Sequence, residues 1–463
     1  MKLGVQISES CYYNKNLEDG PRVVEETLGV TRSILASPAI PEDHVQEARY
    51  YTSLLQGALG LFSQASSRYE DSLTSYDRAQ EGYADLLEDK TFGRAAQLRM
   101  AWLDLKRIEV MKALEVPNDD ILTRRRACLD SLARAIENAP SHHASNLLYL
   151  WALHIATHVP EALERLGVEA DELMLELSAA ITRLEDQLRQ DPWHIELNIG
   201  LFQLHSIASK LTASFEESSS HTKRAMELAR WLTTYSSTPI EYALQFVRLG
   251  RKLTEQLSKR EEFDDAVDVS RRAVLFLDSF YEERSEDQRL ALELFETCTA
   301  FASDKAMFPV QAERLELIER GANAMLPHWE SLVEDLIMLR ELAWAFNCAG
   351  VTHRHLGNRE RAKFWLAHDL EASERIVELD DRPKRIVDLV YAQVAYQSVL
   401  DEYDERRVLL EDAVERMSML HAHSLQVISD ESWEKLCDVF EERALEAGFM
   451  SEEELGALGW RKS

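Results

Sequence analysis

The stretch Ala343–Leu379, AWAFNCAGVTHRHLGNRERAKFWLAHDLEASERIVEL, decides how the rest of the chain is read. Phe346, Ala349, Gly350 and His353 recur at helical spacing, and Ala362 and Leu366 begin a second periodic run beyond Leu356-Gly357-Asn358. A Gly-Asn turn between two amphipathic runs folds them back as an antiparallel pair. Gly350 and Ala362 are small where the two helices approach most closely, since a longer side chain at either place holds the axes apart. Such a hairpin cannot bury its apolar surface alone, so it predicts further hairpins stacked beside it.

The spacing recurs elsewhere. Gly350 precedes Ala362 by twelve positions, as Gly60 precedes Ser72 and Thr254 precedes Ala266. The second-helix pattern returns as Ser72-x3-Tyr76-x2-Ala79, Ala266-x3-Ser270-x2-Ala273 and Cys128-x3-Leu132-x2-Ala135. Pro140 and Pro192 follow Cys128 and Ala180 by the same twelve residues. Together with Phe346-x2-Ala349-Gly350-x2-His353 and Ala362-x3-Leu366, these spacings resemble the tetratricopeptide pattern W-x2-L-G-x2-Y…A-x3-F. Many units run longer than the ~34 residues of that repeat, 160–190 has no small-residue partner upstream, and 285–326 fits by helix length alone. The resemblance implies an all-α, right-handed superhelical solenoid of about eight antiparallel hairpins with terminal caps. It also implies a groove, lined by first helices, that takes an extended or helical peptide.

Bulk composition agrees with an all-α chain. The 463 residues hold only 16 Gly and 11 Pro, too few for the many turns of a sheet protein, and 45% are hydrophobic against 29% charged. Lys plus Arg number 52 against 82 Asp plus Glu, a formal charge of −30 that repels phosphate backbones and predicts no direct binding of nucleic acid. The same field favours a partner with basic residues, and the expectation is an acidic groove. Cys11, Cys128, Cys298, Cys348 and Cys437 are odd in number and scattered among apolar helical residues, as small core residues are in a reducing compartment. No apolar run is long enough for a membrane span and the N-terminus lacks a signal-peptide pattern, so the expected location is cytoplasmic or nuclear.

Breaks at Pro117, Pro140, Pro192, Pro239, Pro309 and Pro383 divide the chain into helix pairs. The pairs are 45–65 with 68–88, 92–114 with 120–138, 143–157 with 160–190, and 193–213 with 216–236. They continue as 240–260 with 262–282, 285–303 with 309–326, 329–356 with 358–379, and 384–403 with 405–423. Residues 1–42 read as an N-terminal arm or cap with a helix over Val23–Leu35, and 43–423 as the solenoid. Residues 424–463 read as an acidic C-terminal capping helix and tail, with Trp460 folded back.

Catalytic signatures are missing. The chain has no G-x-G-x-x-G, G-x-x-x-x-G-K-[ST] or G-x-S-x-G, and the acid pairs Asp119-Asp120, Asp264-Asp265 and Asp380-Asp381 lack a third aspartate at D-D-x-x-D spacing. His154 and His158 share a helix face, yet Ile155 stands where H-E-x-x-H needs Glu and no third ligand is in view. The pairs His142-His143, His353/His355 and His421/His423 are spaced so that their rings splay. Arg124-Arg125-Arg126 either pairs with neighbouring acids or recognises a partner's carboxylate or phosphate. Trp151, Trp193, Trp231 and Trp365 read as core, and Trp344 as an exposed anchor.

The reading is a non-enzymatic interaction scaffold, or a regulatory or recognition subunit of a larger complex, that binds a partner protein or peptide. The alternative is a small-ligand sensor or helical enzyme whose site the superhelix encloses. Groove-facing residues of the best unit are those off its packing positions: Trp344, Asn347, Val351, Arg354 and His355. No cofactor or metal is expected. Elemental analysis of the purified protein should find no stoichiometric zinc or iron; close to one metal per chain would bring His154 and His158 forward as ligands.

Overall fold

In the computed structural model, the described residues are 6, 19–38, 40–137, 139–165, 170–332, 334–423 and 428–460. Residues 1–5, 7–18 (with Cys11) and 39 of the expected arm and residues 424–427 and 461–463 of the expected C-terminal element lie outside them, as do the side chains of His142, His158 and His423. Among the described residues all regular structure is helical. The chain divides into two compact units, with the boundary between Tyr242 and Ala243.

The first unit opens with α1 (Asp19–Leu35) and continues as antiparallel pairs: α2 (Glu42–Ala65) with α3 (Tyr69–Ala84), and α4 (Gly93–Ala113) with α5 (Asn118–Glu137). Then come α6 (Ser141–Arg165) with α7 (Ala170–Leu188), and α8 (Ile195–Leu211) with α9 (Phe215–Tyr235). Helix α10 (Pro239–Lys259) carries the unit boundary. In the second unit α10 meets α11 (Phe263–Glu282) where the Phe246 and Phe276 rings lie 4.5 Å apart, and α12 (Gln288–Ser303) pairs with α13 (Gln311–Met325). A short α14 (Trp329–Leu332) precedes the pair α15 (Leu336–His355) and α16 (Arg359–Leu379). After α17 (Pro383–Gln397) and α18 (Tyr403–His423), α19 (Asp430–Glu446) and α20 (Glu452–Ala457) end the fold.

Small residues set the hairpin spacing. A Cβ built on Gly350 lies 2.5 Å from Leu366 Cγ, and one on Gly60 lies 2.3 Å from the Tyr76 ring. In both hairpins the contacted side chain comes four residues after the expected small partner, Ala362 or Ser72, because a helical side chain leans back over the preceding turn. Ser72 itself donates its hydroxyl to the Gly60 carbonyl at 2.8 Å, tying α3 to α2 at the point of approach.

Three helix limits differ from the sequence expectation. Helix α6 runs through Pro160 to Arg165, since a proline removes one helical hydrogen bond without ending the helix when its neighbours hold. The expected 329–356 helix is interrupted: Asp335 accepts from the amides of Ile337 (3.1 Å) and Met338 (3.0 Å) and so starts α15 afresh. Helix α17 stops at Gln397, where the next carbonyls turn to side chains; Arg359 donates to Val399 O at 3.1 Å and Leu400 O at 2.8 Å.

The tryptophans divide. Trp151 and Trp365 are buried, but Trp193 is 64% exposed and touches Trp231 and Tyr235 in an aromatic surface cluster of the first unit. The expectation of a core Trp193 is therefore corrected; it stands before α8 rather than on its packing face. Two arginines of the basic triplet are absorbed by neighbours: Arg124 binds Asp104 at 2.6 Å and buried Arg125 binds Glu176 at 2.5 Å. Cys128, Cys298 and Cys437 are buried, and burial pushes the first two thiols up to about 12. Trp433 donates its indole N–H to the Trp460 carbonyl at 2.9 Å, which folds the end of the chain back onto α19.

Two glycines give opposite expectations. Gly350→Leu forces α15 from α16 and should lower stability by about 1–3 kcal/mol. Gly29 of α1 has nothing within 4 Å of its would-be Cβ, so Gly29→Ala should raise stability by about 0.5–1 kcal/mol. Denaturant midpoints of the two variants against the parent chain check both signs.

Candidate functional site

A groove of about 850 Å³ opens in the second unit between the first helices of successive hairpins, α12, α15 and α17. It is floored by Asp369, Ser373 and Ile376 of α16. The α15 wall is a stripe at helical spacing, Ile337, Arg340, Glu341, Trp344 and Asn347, on the side away from Leu339, Leu342 and Phe346, which are fully buried. Ile337 is 73% exposed and Trp344 41%, so the wall offers large apolar side chains to solvent.

The polar centre of the groove is Asp369. Its carboxylate is 3% exposed and accepts from the Asn347 side-chain amide at 2.7 Å. Burial raises its pKa from the ordinary 3.8 to about 7, Asp388 adds to the rise, and hydrogen bonds from Asn347 and Ser373 oppose it. The guanidinium groups nearby are committed to other acids. Arg385 lies 3.2 Å from both Asp380 and Asp388, and Arg251 pairs with Glu293 at 3.3 Å and Glu296 at 3.1 Å. Four cationic residues (Arg251, Arg340, Lys384 and Arg385) face four acidic ones (Glu296, Glu341, Asp369 and Asp388), so the negative charge of the chain is not concentrated in this groove. The expected acidic lining is thereby corrected: cations on α10, α15 and α17 match its acids in number.

Of the residues singled out in the sequence, Trp344 and Asn347 come together in the groove. Val351 packs with Ala362, Leu366 and Val399, and Arg354 donates to the Ser398 hydroxyl at 2.9 Å. Burial lowers the Arg354 pKa, with Arg443 adding to the effect. His355 is exposed at the end of α15. The stripe thus continues toward the start of α15, through Ile337, Arg340 and Glu341. These were missed because the break before Leu336 was not read, although their spacing from Trp344 carries the signal. Asp369 was missed too; a carboxylate inside the buried run Trp365, Leu366, Leu370 and Ala372 was its signature.

His154, the other candidate, is fully buried with Nε2 3.1 Å from the Ala101 carbonyl, and desolvation lowers its pKa to about 4. Among the described residues no group of three His, Cys, Asp or Glu is placed to hold a metal ion. Nor is any helix among them long and apolar enough to cross a membrane.

No protein-family model matches the chain, and no curated protein does. Among solved structures it is similar to the S. pombe nuclear import adaptor Nro1, at 12% identity and TM-score 0.26 over 74% of this chain and 98% of that one. It is also similar to Ypp1, at 10% identity and TM-score 0.31 over 95% and 77%. A third likeness is to Naa15/Naa10 bound to HypK-THB, at 12% identity and TM-score 0.24 over 98% and 78%. With superpositions this loose, the fold assignment rests on the chain's own helices.

The raised Asp369 pKa sets a pH dependence. Between about pH 4 and pH 7 the folded chain holds a proton that the unfolded chain releases, so stability falls as pH rises through that window and levels off above it. Relative to Asp369→Asn, which cannot ionise, the wild type should lose on the order of a few kcal/mol across the window. Paired urea titrations at pH 4 to 8 check this; a constant difference would mean an unshifted carboxyl.

Proposed function

We propose that the chain is a divergent tetratricopeptide-like scaffold or recognition subunit, without catalytic activity, that docks a segment of a partner protein in the groove of the second unit. The observation that carries this reading is the α15 wall: Ile337 and Trp344 stand exposed beside Asn347, in a groove built from consecutive first helices. Large apolar side chains left in solvent along one helical stripe are costly unless something covers them, and aromatic anchors supply much of the energy of such contacts. Asn347 supplies polar contacts around the anchor, with Arg340 and Glu341, which form no ion pair among the described residues.

Under this reading residues 43–423 form the repeat array, 1–42 an arm or cap, and 424–463 a closing cap. The chain works inside a larger complex in the cytoplasm or nucleus, and the partner carries basic residues. Its own surplus of 82 acidic over 52 basic residues supports a protein partner over nucleic acid.

The test is to recover partners on the immobilised chain from an extract of its native source, identify them by mass spectrometry, and measure affinities of purified pairs. Trp344→Ala should weaken the true partner by about 2 kcal/mol, mostly through faster dissociation, and Ile337→Ala should act in the same direction. A partner that binds both variants at full affinity would move docking to another surface.

A further inference from the structure

Asp369 poses a problem that the fold leaves unsolved. A carboxylate taken out of water needs either a proton or a cation, and a buried acid without a cation is destabilising. Among the described residues Asp369 forms no ion pair; its hydrogen bonds come from the neutral Asn347 amide and Ser373 hydroxyl. The neighbouring guanidinium of Arg385 is shared between Asp380 and Asp388, and that of Arg251 between Glu293 and Glu296. Yet Asp369 lines the groove, so a group entering from solvent can meet it.

We propose that Asp369 is the receptor for a basic side chain: a partner's extended segment lies in the groove and sets an arginine or lysine on this carboxylate. The inference rests on the docking reading above and adds the chemistry of the residue recognised. Charge complementarity identifies the occupant: among the described residues no cation pairs with Asp369, Asp388 is the one charge that acts on it, and the guanidiniums of Arg251 and Arg385 are taken by other acids. Trp344 lines the same wall one helical turn from Asn347, and an indole is a good neighbour for a cationic head or its aliphatic stem. Asn347 orients the carboxylate by holding one of its oxygens.

Because a cation binds the ionised form, association of such a segment releases the Asp369 proton and tightens as pH rises. The other charged or titratable groups facing this part of the groove are Lys384, Arg385, Asp388 and Tyr391 from α17, Glu296 from α12 and Arg251 from α10. From α15 come Arg340 and Glu341; the Cys348 thiol, near Asp369 but outside the lining, is pushed up by burial and by Asp369 itself. Asp369→Asn removes only the central acid and keeps the rest, so it isolates the contribution of Asp369.

The experiment is to pan a random dodecapeptide phage library at pH 8 on the whole chain and on its Asp369→Asn variant, then to measure the selected synthetic peptides by fluorescence anisotropy. The expected result is a fixed Arg or Lys in peptides selected by the wild type, whose replacement by norleucine weakens binding at least about tenfold there and little on the variant. Wild-type affinity should rise about tenfold from pH 6 to pH 8, which needs no variant to observe, while that of the variant stays flat. Peptides that bind both chains alike, or that carry no cation, overturn the proposal and leave groove docking standing provided that Trp344→Ala weakens them. Arginine amide binding as tightly as the best peptide also overturns it, since the groove would then be a site for small cations. Selected peptides indifferent to Trp344→Ala, or no peptides at all, overturn both readings.

Discussion

Everything in this fold follows from how closely two antiparallel helices can approach. At Gly60 and Gly350 the missing side chain lets a tyrosine or a leucine of the returning helix lie against bare backbone, in each case sixteen residues further on. Gly321 repeats the arrangement in the opposite sense, with its would-be Cβ 3.0 Å from Cys298 Cβ and 3.1 Å from the Phe295 backbone. Close approach leaves each hairpin thin, with apolar side chains on both flanks. Neighbouring hairpins must then cover those flanks, and the first helices that meet in doing so create the groove.

Between hairpins, polar side-chain contacts fall at a nearly constant stride. Arg124 reaches Gln80 across 44 residues, Arg248 reaches Glu293 across 45, and Arg320 reaches Asp278 across 42. Glu319 concentrates the pattern: one carboxylate, largely buried, accepts from His353 at 2.8 Å, Trp365 at 2.9 Å and Arg361 at 3.2 Å, all on the following hairpin. Charge-assisted bonds of this geometry fix the angle at which hairpins stack, which apolar packing alone specifies less tightly.

The hairpins were legible in the sequence because helix punctuation is local: prolines, a Gly-Asn turn and small residues twelve apart place most helix pairs within a few residues. The stride between hairpins was not, because its polar partners differ chemically from one junction to the next and leave no repeating letter. Asp335 as a helix cap was overlooked for a related reason, since an Asp in a chain with 82 acidic residues carries little signal until its amide partners are known. The groove was half legible. Trp344 and Asn347 could be placed from the helical face they share, but Asp369 comes from the second helix and becomes part of the site only once α16 packs beneath α15.

The constant stride also governs how the chain comes apart. Within its own unit a terminal hairpin has ties on one side, whereas an interior one loses ties on both, together with the apolar flanks they cover. Loosening should therefore begin at the ends of a unit and move inward one hairpin at a time, so that protection of backbone amides rises in steps of a whole hairpin rather than smoothly along each helix. The α15–α16 hairpin, held by Glu319 on one side and by Arg359 on the other, lies among the last to open. The helix that carries Trp344 and Asn347 thus keeps its shape while its neighbours breathe, a firm wall beside a more yielding one.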